Sequence, residues 1–237
     1  LMGDKCTRGC RFCSVKSSNN PGALDPEEPM KLAKTIESLD LRYVVLTTVD
    51  RDDLPDQGAS HIARCIRSTQ RSSPEMLIEI LMPDFQGNTE LVQQVIEAHP
   101  AVLAHNLETV RSLTSKVRDP RASYDQSLNV LNYIKQNNLN SYTKSSLMLG
   151  VGESRKETLE AMNDLREVGV DFLTIGQYLQ PSKKHLRVKK FITPKEFDEL
   201  VIVGEKMGFL YVASGPLVRS SYKAAEFYIE RKIRVNE

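Results

Sequence analysis

The sequence has no tryptophan, four histidines and four cysteines in 237 residues. Histidine scarcity leaves little material for an imidazole metal centre, and His61, His99, His105 and His185 fall at no spacing that pairs ligands. The cysteines are too few and too uneven for the disulfide framework of a small secreted fold, so a reducing compartment and a metal or redox role are expected. No apolar run, "YVVL" and "SSLMLGVG" included, approaches the roughly 20 residues of a spanning helix, so no membrane span is expected. Neither charge sign dominates: 32 basic against 31 acidic residues leave +1, which gives no general pull toward nucleic acid or anionic lipid. Gly/Ser-rich linkers and low-complexity tracts are also missing, and the length suits one α/β domain.

From residue 27 onward, apolar runs of strand length alternate with segments of helical period, the sign of a parallel sheet with crossover helices. Asp25 as cap and Pro26 at the first helical position open the first helix. Strands are expected at 42–49, 76–82, 102–106, 142–150 and 171–179. Helices are expected at 57–70, with Ile62, Cys65 and Ile66 inward, after Asn88, at 123–136, and after the capping box of Ser154 and Glu157. A strand running into Cys6 makes six, each followed by helical material, in one curved or barrel-like sheet. Thr193, Pro194 and Glu196 open a further helix ending at Gly208, 209–215 reads as a short extra strand, and 220–235 as a terminal helix. The expected division is a core over 1–182 and an extension over 183–237 packed on it, within a single structural domain.

Three of the four cysteines crowd into "KCTRGCRFCSV", where Cys6, Cys10 and Cys13 have the spacing C-x3-C-x2-C on a loop leaving the first strand. A closed zinc site wants a fourth Cys or His. Cys65 has core spacing and is assigned to the core. An iron-sulfur cluster takes three thiolates and keeps one iron of a four-iron cluster open, where a cofactor can bind. A structural zinc module without catalysis stays open as the alternative.

With Phe12 before the last cysteine, this motif in a β/α chain resembles the radical S-adenosylmethionine superfamily. The blocks "VVLTTVDRDDLPDQGA", "EILMPDFQG", "HNLETV", "TKSSLMLGVGE", "TIGQYLQPS" and "ASGPLVRSSY" resemble the lipoyl synthase family in order and spacing across nearly the whole chain. The resemblance implies a partial six-fold β/α barrel with a C-terminal extension. It implies a 4Fe-4S cluster with an open iron, S-adenosylmethionine as cofactor, and insertion of two sulfur atoms at carbons 6 and 8 of a protein-bound octanoyl-lysine. Implied partners are octanoylated lipoyl-carrier domains of 2-oxoacid dehydrogenase complexes and the glycine cleavage system, and an electron donor such as ferredoxin or flavodoxin. Another radical sulfur insertion or a methylthiolation is the competing chemistry.

The remaining blocks fall at C-terminal strand ends, where β/α barrels place their sites. Cys6, Cys10 and Cys13 are the expected cluster ligands. Asp50, Asp52 and Asp53 serve a ribose or cap the next helix, and Phe12 packs near the adenine or in the core. Asn106 and Glu108 offer donors and acceptors to the cofactor, although a helix N-terminus also favours Glu108. Arg118 and Lys144 are cations placed to meet a carboxylate. Gln177, Tyr178 and Leu179 are expected to line the cofactor pocket. Gly150 and Gly152 allow close backbone approach to a ligand or form a plain turn. Lys183, Lys184 and His185 face an acidic carrier or make a solvated basic loop. Ser220 reads alone as a helix cap, and the resemblance makes it a ligand of a second, auxiliary 4Fe-4S cluster.

The family's three auxiliary-cluster cysteines precede the first barrel strand, and this chain contains none of them. The expectation is a truncated polypeptide, with a divergent protein lacking the donor cluster as the alternative, that binds one cluster and S-adenosylmethionine without completing sulfur insertion. The segments "FITPKEFDEL" and "SSYKAAEFYIERKIRV" resemble mitochondrial more than bacterial members, which favours the mitochondrial matrix over a bacterial cytoplasm.

Overall fold

The computed structural model describes residues 1–39, 41–138, 140–221 and Tyr228. Two short strands, β1 (Lys5–Cys6) and β2 (Lys16–Ser17), pair in parallel and bracket the cysteine loop. Then follow α1 (Glu28–Ser38), β3 (Tyr43–Thr47), α2 (Ala59–Ser72), β4 (Leu77–Leu81), α3 (Thr89–Ile96), β5 (Val102–Ala104), α4 (Thr114–Val117) and α5 (Tyr124–Asn137). The chain continues through β6 (Tyr142–Leu149), α6 (Arg155–Glu167), β7 (Phe172–Gln177), α7 (Pro194–Lys206) and β8 (Tyr211–Gly215). Strands β3 to β8 form one parallel sheet in sequence order. Its C-terminal edges all face one end of an open half-barrel, so everything that follows a strand arrives at the same place.

The helices pack on the outer face of the sheet. Leu46, Ile78, Ile80 and Leu103 meet Ile62, Ile66, Val92 and Val95 in one core, while Leu147, Leu149, Leu173 and Ile175 meet Met162, Leu165, Phe197 and Leu200 in another. Each such buried side chain contributes about 1.5–3 kcal/mol. Local signals set the helix starts: Asn88 accepts the Glu90 amide at 3.0 Å, and Ser154/Glu157 and Thr193/Glu196 form full capping boxes. The inner face is closed at its N-terminal end by Tyr43, Val102 and Phe172, with Tyr142, Tyr211 and Tyr228 against them.

Four expectations change. The segment before Cys6 contributes no strand to the sheet: Met2 and Gly3 both take left-handed φ angles, 71° and 92°, which breaks an extended run. Leu1 alone lies alongside β3, exchanging bonds with Thr47 and Val49. The sixth strand is instead β8, so residues beyond 182 complete the sheet through β8 and α7. The first helix starts at Glu28, because Asp25 spends its carboxylate on the Glu27 amide in a turn ahead of it. Lys144 points into the half-barrel and stays closed in an ion pair with Glu79 at 2.5 Å, both side chains 1% exposed. Tyr43 donates to the other Glu79 oxygen. The terminal helix expected over 220–235 lies outside the described residues apart from Ser220, Ser221 and Tyr228.

Breaking the Lys144 pair leaves a buried charge alone. Lys144→Met should cost about 3–5 kcal/mol in urea unfolding, and adding Glu79→Gln should restore at least half of it. A double variant as unstable as the single would show that the pair is not the source.

Candidate metal and cofactor site

At the C-terminal edge a cavity of about 370 Å³ opens over the ends of β3, β4 and β5, with the three loop cysteines along one wall. Asp50 follows β3, Asp84 follows β4, and His105, Asn106 and Glu108 follow β5. A second cavity of about 250 Å³ shares Phe12, Cys13, Glu108 and Ser220 with the first. It runs along the ends of β6 and β7 to Gln177, Tyr178 and Leu179.

The cysteine loop is prepared for negatively charged sulfur. Cys6 Sγ accepts backbone N–H groups from Arg8 and Asp50, each at 3.4 Å, and Cys10 Sγ accepts that of Asp119 at 3.3 Å. Without a metal the thiols hold their protons: burial pushes Cys6 up to about 11, with Asp50 adding to the shift, and Cys10 up to about 12. Burial raises Cys13 as well. Ligation therefore displaces protons, as thiolate sites require.

Two metal classes make different demands on three thiols. Around one tetrahedral zinc, thiolate sulfurs sit about 3.8 Å apart, as follows from zinc–sulfur bonds of about 2.3 Å. Among the described residues, the group of three ligand atoms lying mutually within 4.8 Å is Glu28, His61 and Cys65, and the loop cysteines form no such group. Three thiols lining one cavity suit the corners of a cluster, with backbone donors aimed at Cys6, Cys10 and Cys13. Glu28 takes up its own bonds with the Met2 amide at 3.0 Å and His61 Nε2 at 2.6 Å, and Cys65 is fully buried in the core.

Arg8, between the first two cysteines, fastens the loop. Its guanidinium, 3% exposed, lies 2.6 Å from Asp84, 3.0 Å from Asp52 and 3.3 Å from Asp50. Burial alone would raise the Asp84 carboxyl, but hydrogen bonds from Arg8 hold it down at about 2. Asp52 is lowered by Arg8 and Thr7 against the same burial, whereas burial raises Asp50 despite Arg8. Behind the loop, Asp119 accepts the Gly9 amide at 2.8 Å and Arg121 donates to the Thr7 carbonyl at 2.7 Å.

Opposite the cysteines, Asn106 Nδ2 donates to Glu108 at 3.0 Å, and Glu108 holds a left-handed φ of 71° while bridging in parallel to Leu147. Such strain in a residue without glycine's freedom often marks a functional position. Burial raises the Glu108 carboxyl, and Arg118 opposes it. Arg118 donates to Ser127 Oγ at 2.7 Å, Ser127 meets His105 Nε2 at 2.9 Å, and His105 Nδ1 bonds the Met82 carbonyl at 3.0 Å. Burial lowers His105 to about 4, so it is neutral at physiological pH and passes no charge to this chain of contacts.

Of the sequence-picked residues, the structure brings Cys6, Cys10, Cys13, Phe12, Asp50, Asn106, Glu108, Arg118 and Ser220 to the first cavity, and Gln177, Tyr178 and Leu179 to the second. Lys144 reaches neither. Gln177 spends its side chain on Leu149, Tyr178, Lys190 and Ile192, which ties residues 190–192 to the sheet. Asp52 and Asp53 are partners of Arg8 and Arg51. The Gly150 to Gly152 amides are all taken by the Glu153 carboxylate, so that turn offers no donors to a ligand. Ser220 arrives because Gly176 has no side chain: a Cβ there would stand 2.1 Å from the Val218 carbonyl. Arg8, Asp84 and His105 were missed. Arg8 sits inside the motif and Asp84 inside "MPDFQG", but their charges gain meaning only when β3 and β4 lie side by side.

Arg8→Met should cost about 3–5 kcal/mol by leaving buried carboxylates unpaired. A depressed carboxylate stabilises the fold above its unfolded pKa of about 3.9 and loses that contribution as pH falls toward its folded value. With Asp84 at about 2, the gap between wild type and variant should be widest above pH 4 and narrow toward pH 2. A constant gap in unfolding free energy across that range would contradict the assignment.

Residues 1–177 match the Radical SAM superfamily model. The chain is 53% identical to a mitochondrial lipoyl synthase of Branchiostoma floridae, over 97% of this chain and 61% of that protein. It is 55% identical to a lipoyl synthase of Myxococcus xanthus, over 97% of this chain and 77% of that protein. The chain thus spans about three-fifths of the first relative's length. The crystal structure of HydG, a maturase of the [FeFe]-hydrogenase, superposes with a TM-score of 0.68 at 16% identity, over 88% of this chain and 48% of that one, a likeness of fold alone. Fold, cysteine loop and relatives agree, and this chain belongs to the radical SAM superfamily and, within it, to the lipoyl synthase family.

Proposed function

We propose that the chain carries the cofactor and substrate-binding machinery for radical insertion of sulfur at carbons 6 and 8 of a protein-bound octanoyl-lysine. The observation that carries this reading is the convergence of three cluster-spaced thiols, Glu108, Asn106, Arg118 and Ser220 on two joined cavities at the strand ends. When bound, a 4Fe-4S cluster with S-adenosylmethionine supplies the radical chemistry that removes hydrogen from unactivated carbon, which no side chain does.

In this reading Cys6, Cys10 and Cys13 hold the cluster, and the backbone N–H groups of Arg8, Asp50 and Asp119 stabilise sulfur charge. Arg118 meets the cofactor carboxylate, and Asn106, Glu108 and Asp50 take its amino and ribose groups. Phe12, packed with Val117 and Tyr178, supports the adenine. Leu147, Met148, Leu179 and Val218 give the second cavity apolar walls suited to an octanoyl chain. Ser220 lines both cavities, and in this reading it ligates an auxiliary cluster. Octanoylated lipoyl-carrier domains are the proposed partners, ferredoxin or flavodoxin the proposed electron donor, and the mitochondrial matrix the proposed location. Among the described residues no helix is long and apolar enough to cross a membrane.

The test is anaerobic reconstitution with iron and sulfide, then S-adenosylmethionine, reductant and an octanoyl-lysine peptide. The reading expects 5′-deoxyadenosine and hydrogen loss from the octanoyl chain, both abolished by Cys10→Ala. Cofactor cleavage with no change in the peptide would reject octanoyl-lysine as the substrate.

A further inference from the structure

The mouth of the cavities carries a set of cations that pair with no carboxylate among the described residues. Residues 7–19, 109–118 and 180–195 contain no Asp or Glu, in a chain whose net charge is only +1. Hydrogen bonds bring these segments together. Arg11 Nη1 donates to the Lys116 carbonyl at 3.2 Å, and the Leu186 amide donates to the Arg11 carbonyl at 3.2 Å. His185 Nε2 donates to the Cys13 carbonyl at 2.9 Å, which fastens the 182–190 segment to the cysteine loop itself.

Arg11, Lys116, Lys183, Lys184, Arg187 and Lys189 are all exposed, and among the described residues none of them pairs with a carboxylate. Other exposed cations find partners, Arg111 with Asp125 and Lys190 with Glu196 on these same segments, and Lys31 with Asp25 and Arg155 with Glu199 away from them. The unpaired cations also ride on a fixed backbone. Tyr178 Oη donates to the Leu186 carbonyl at 2.8 Å, Gln180 to the His185 carbonyl at 3.0 Å, and the Lys189 amide to Gly150 at 2.7 Å. A loop held this firmly loses little conformational freedom on binding.

We infer that this basic ledge docks the acidic face of the folded protein that presents the substrate side chain, an inference that rests on the function proposed above. Unpaired charges around a mouth repel one another and gain most from a partner of opposite sign, which speeds encounter and sets orientation. Phe191 and Leu217 are 69% and 80% exposed and add apolar contact of the kind a protein interface uses. A single exposed aromatic on these segments gives no platform for stacking successive bases, so nucleic acid is the poorer fit.

The experiment compares Lys183→Glu/Lys184→Glu/Arg187→Glu with wild type, both reconstituted anaerobically. Binding is measured by calorimetry to an octanoylated carrier domain and to octanoyl-lysine within a short neutral peptide. The triple variant should bind the carrier about tenfold or more weakly, while peptide binding stays within about twofold. Wild-type affinity for the carrier should fall as salt rises from about 50 to about 300 mM. Cleavage of S-adenosylmethionine without substrate should match in the two proteins, since none of the three residues lines the cavities.

Carrier binding unchanged by the triple variant, or lost equally for peptide and carrier, would overturn the ledge and leave the proposed function standing. Polyuridylate binding the wild type as tightly as the carrier would overturn it in favour of nucleic acid. A wild type that cleaves no S-adenosylmethionine and binds no octanoyl peptide would sink the proposed function, and the ledge with it.

Discussion

Arg8 stands among Asp50, Asp52 and Asp84, three carboxylates delivered by the ends of two neighbouring strands. The cysteine loop has almost no apolar side chains with which to fold itself, so its shape comes from this charge contact and from the second fastening by Asp119 and Arg121. Both fastenings draw on carboxylates far apart in sequence, so the loop's shape depends on long-range contacts made in the folded half-barrel. Arg8 thus ties the cysteine loop to the ends of β3 and β4, beside the cavity that the loop and those strand ends line together.

That dependence explains which features could be read before the fold was known. Helices were legible because their information is local: the capping boxes at Ser154 and Thr193 and the apolar stripe of α2 need only nearby residues. The parallel, ordered sheet was legible from the alternation itself. The first strand was misread because "LMGDKC" has strand-like composition at its start, while the left-handed angles at Met2 and Gly3 depend on packing against Gly58 and Glu28.

The site shows the same division. The cysteines are picked out by spacing, Asn106 and Glu108 by their positions after a strand, and Arg118 by its charge. Lys144 was misplaced for an instructive reason: a lysine within a strand does imply a partner, but that partner, Glu79, is 65 residues away on a strand whose register the sequence does not show. Ser220 reaches the cavities through a crossing over Gly176, and His185 closes on the cysteine loop from 172 residues away. The C-terminal part of the chain thus finishes both the sheet and the site, which is why it could pass for an appendage in one dimension.

The central claim is that the three loop cysteines hold one cluster whose open iron meets S-adenosylmethionine inside the first cavity. Electron paramagnetic resonance of the dithionite-reduced, anaerobically reconstituted chain, recorded before and after adding S-adenosylmethionine, tests it most directly. The account predicts a reduced four-iron signal whose g-values shift on addition of the cofactor. A signal indifferent to the cofactor, or a colourless chain holding stoichiometric zinc, would contradict it.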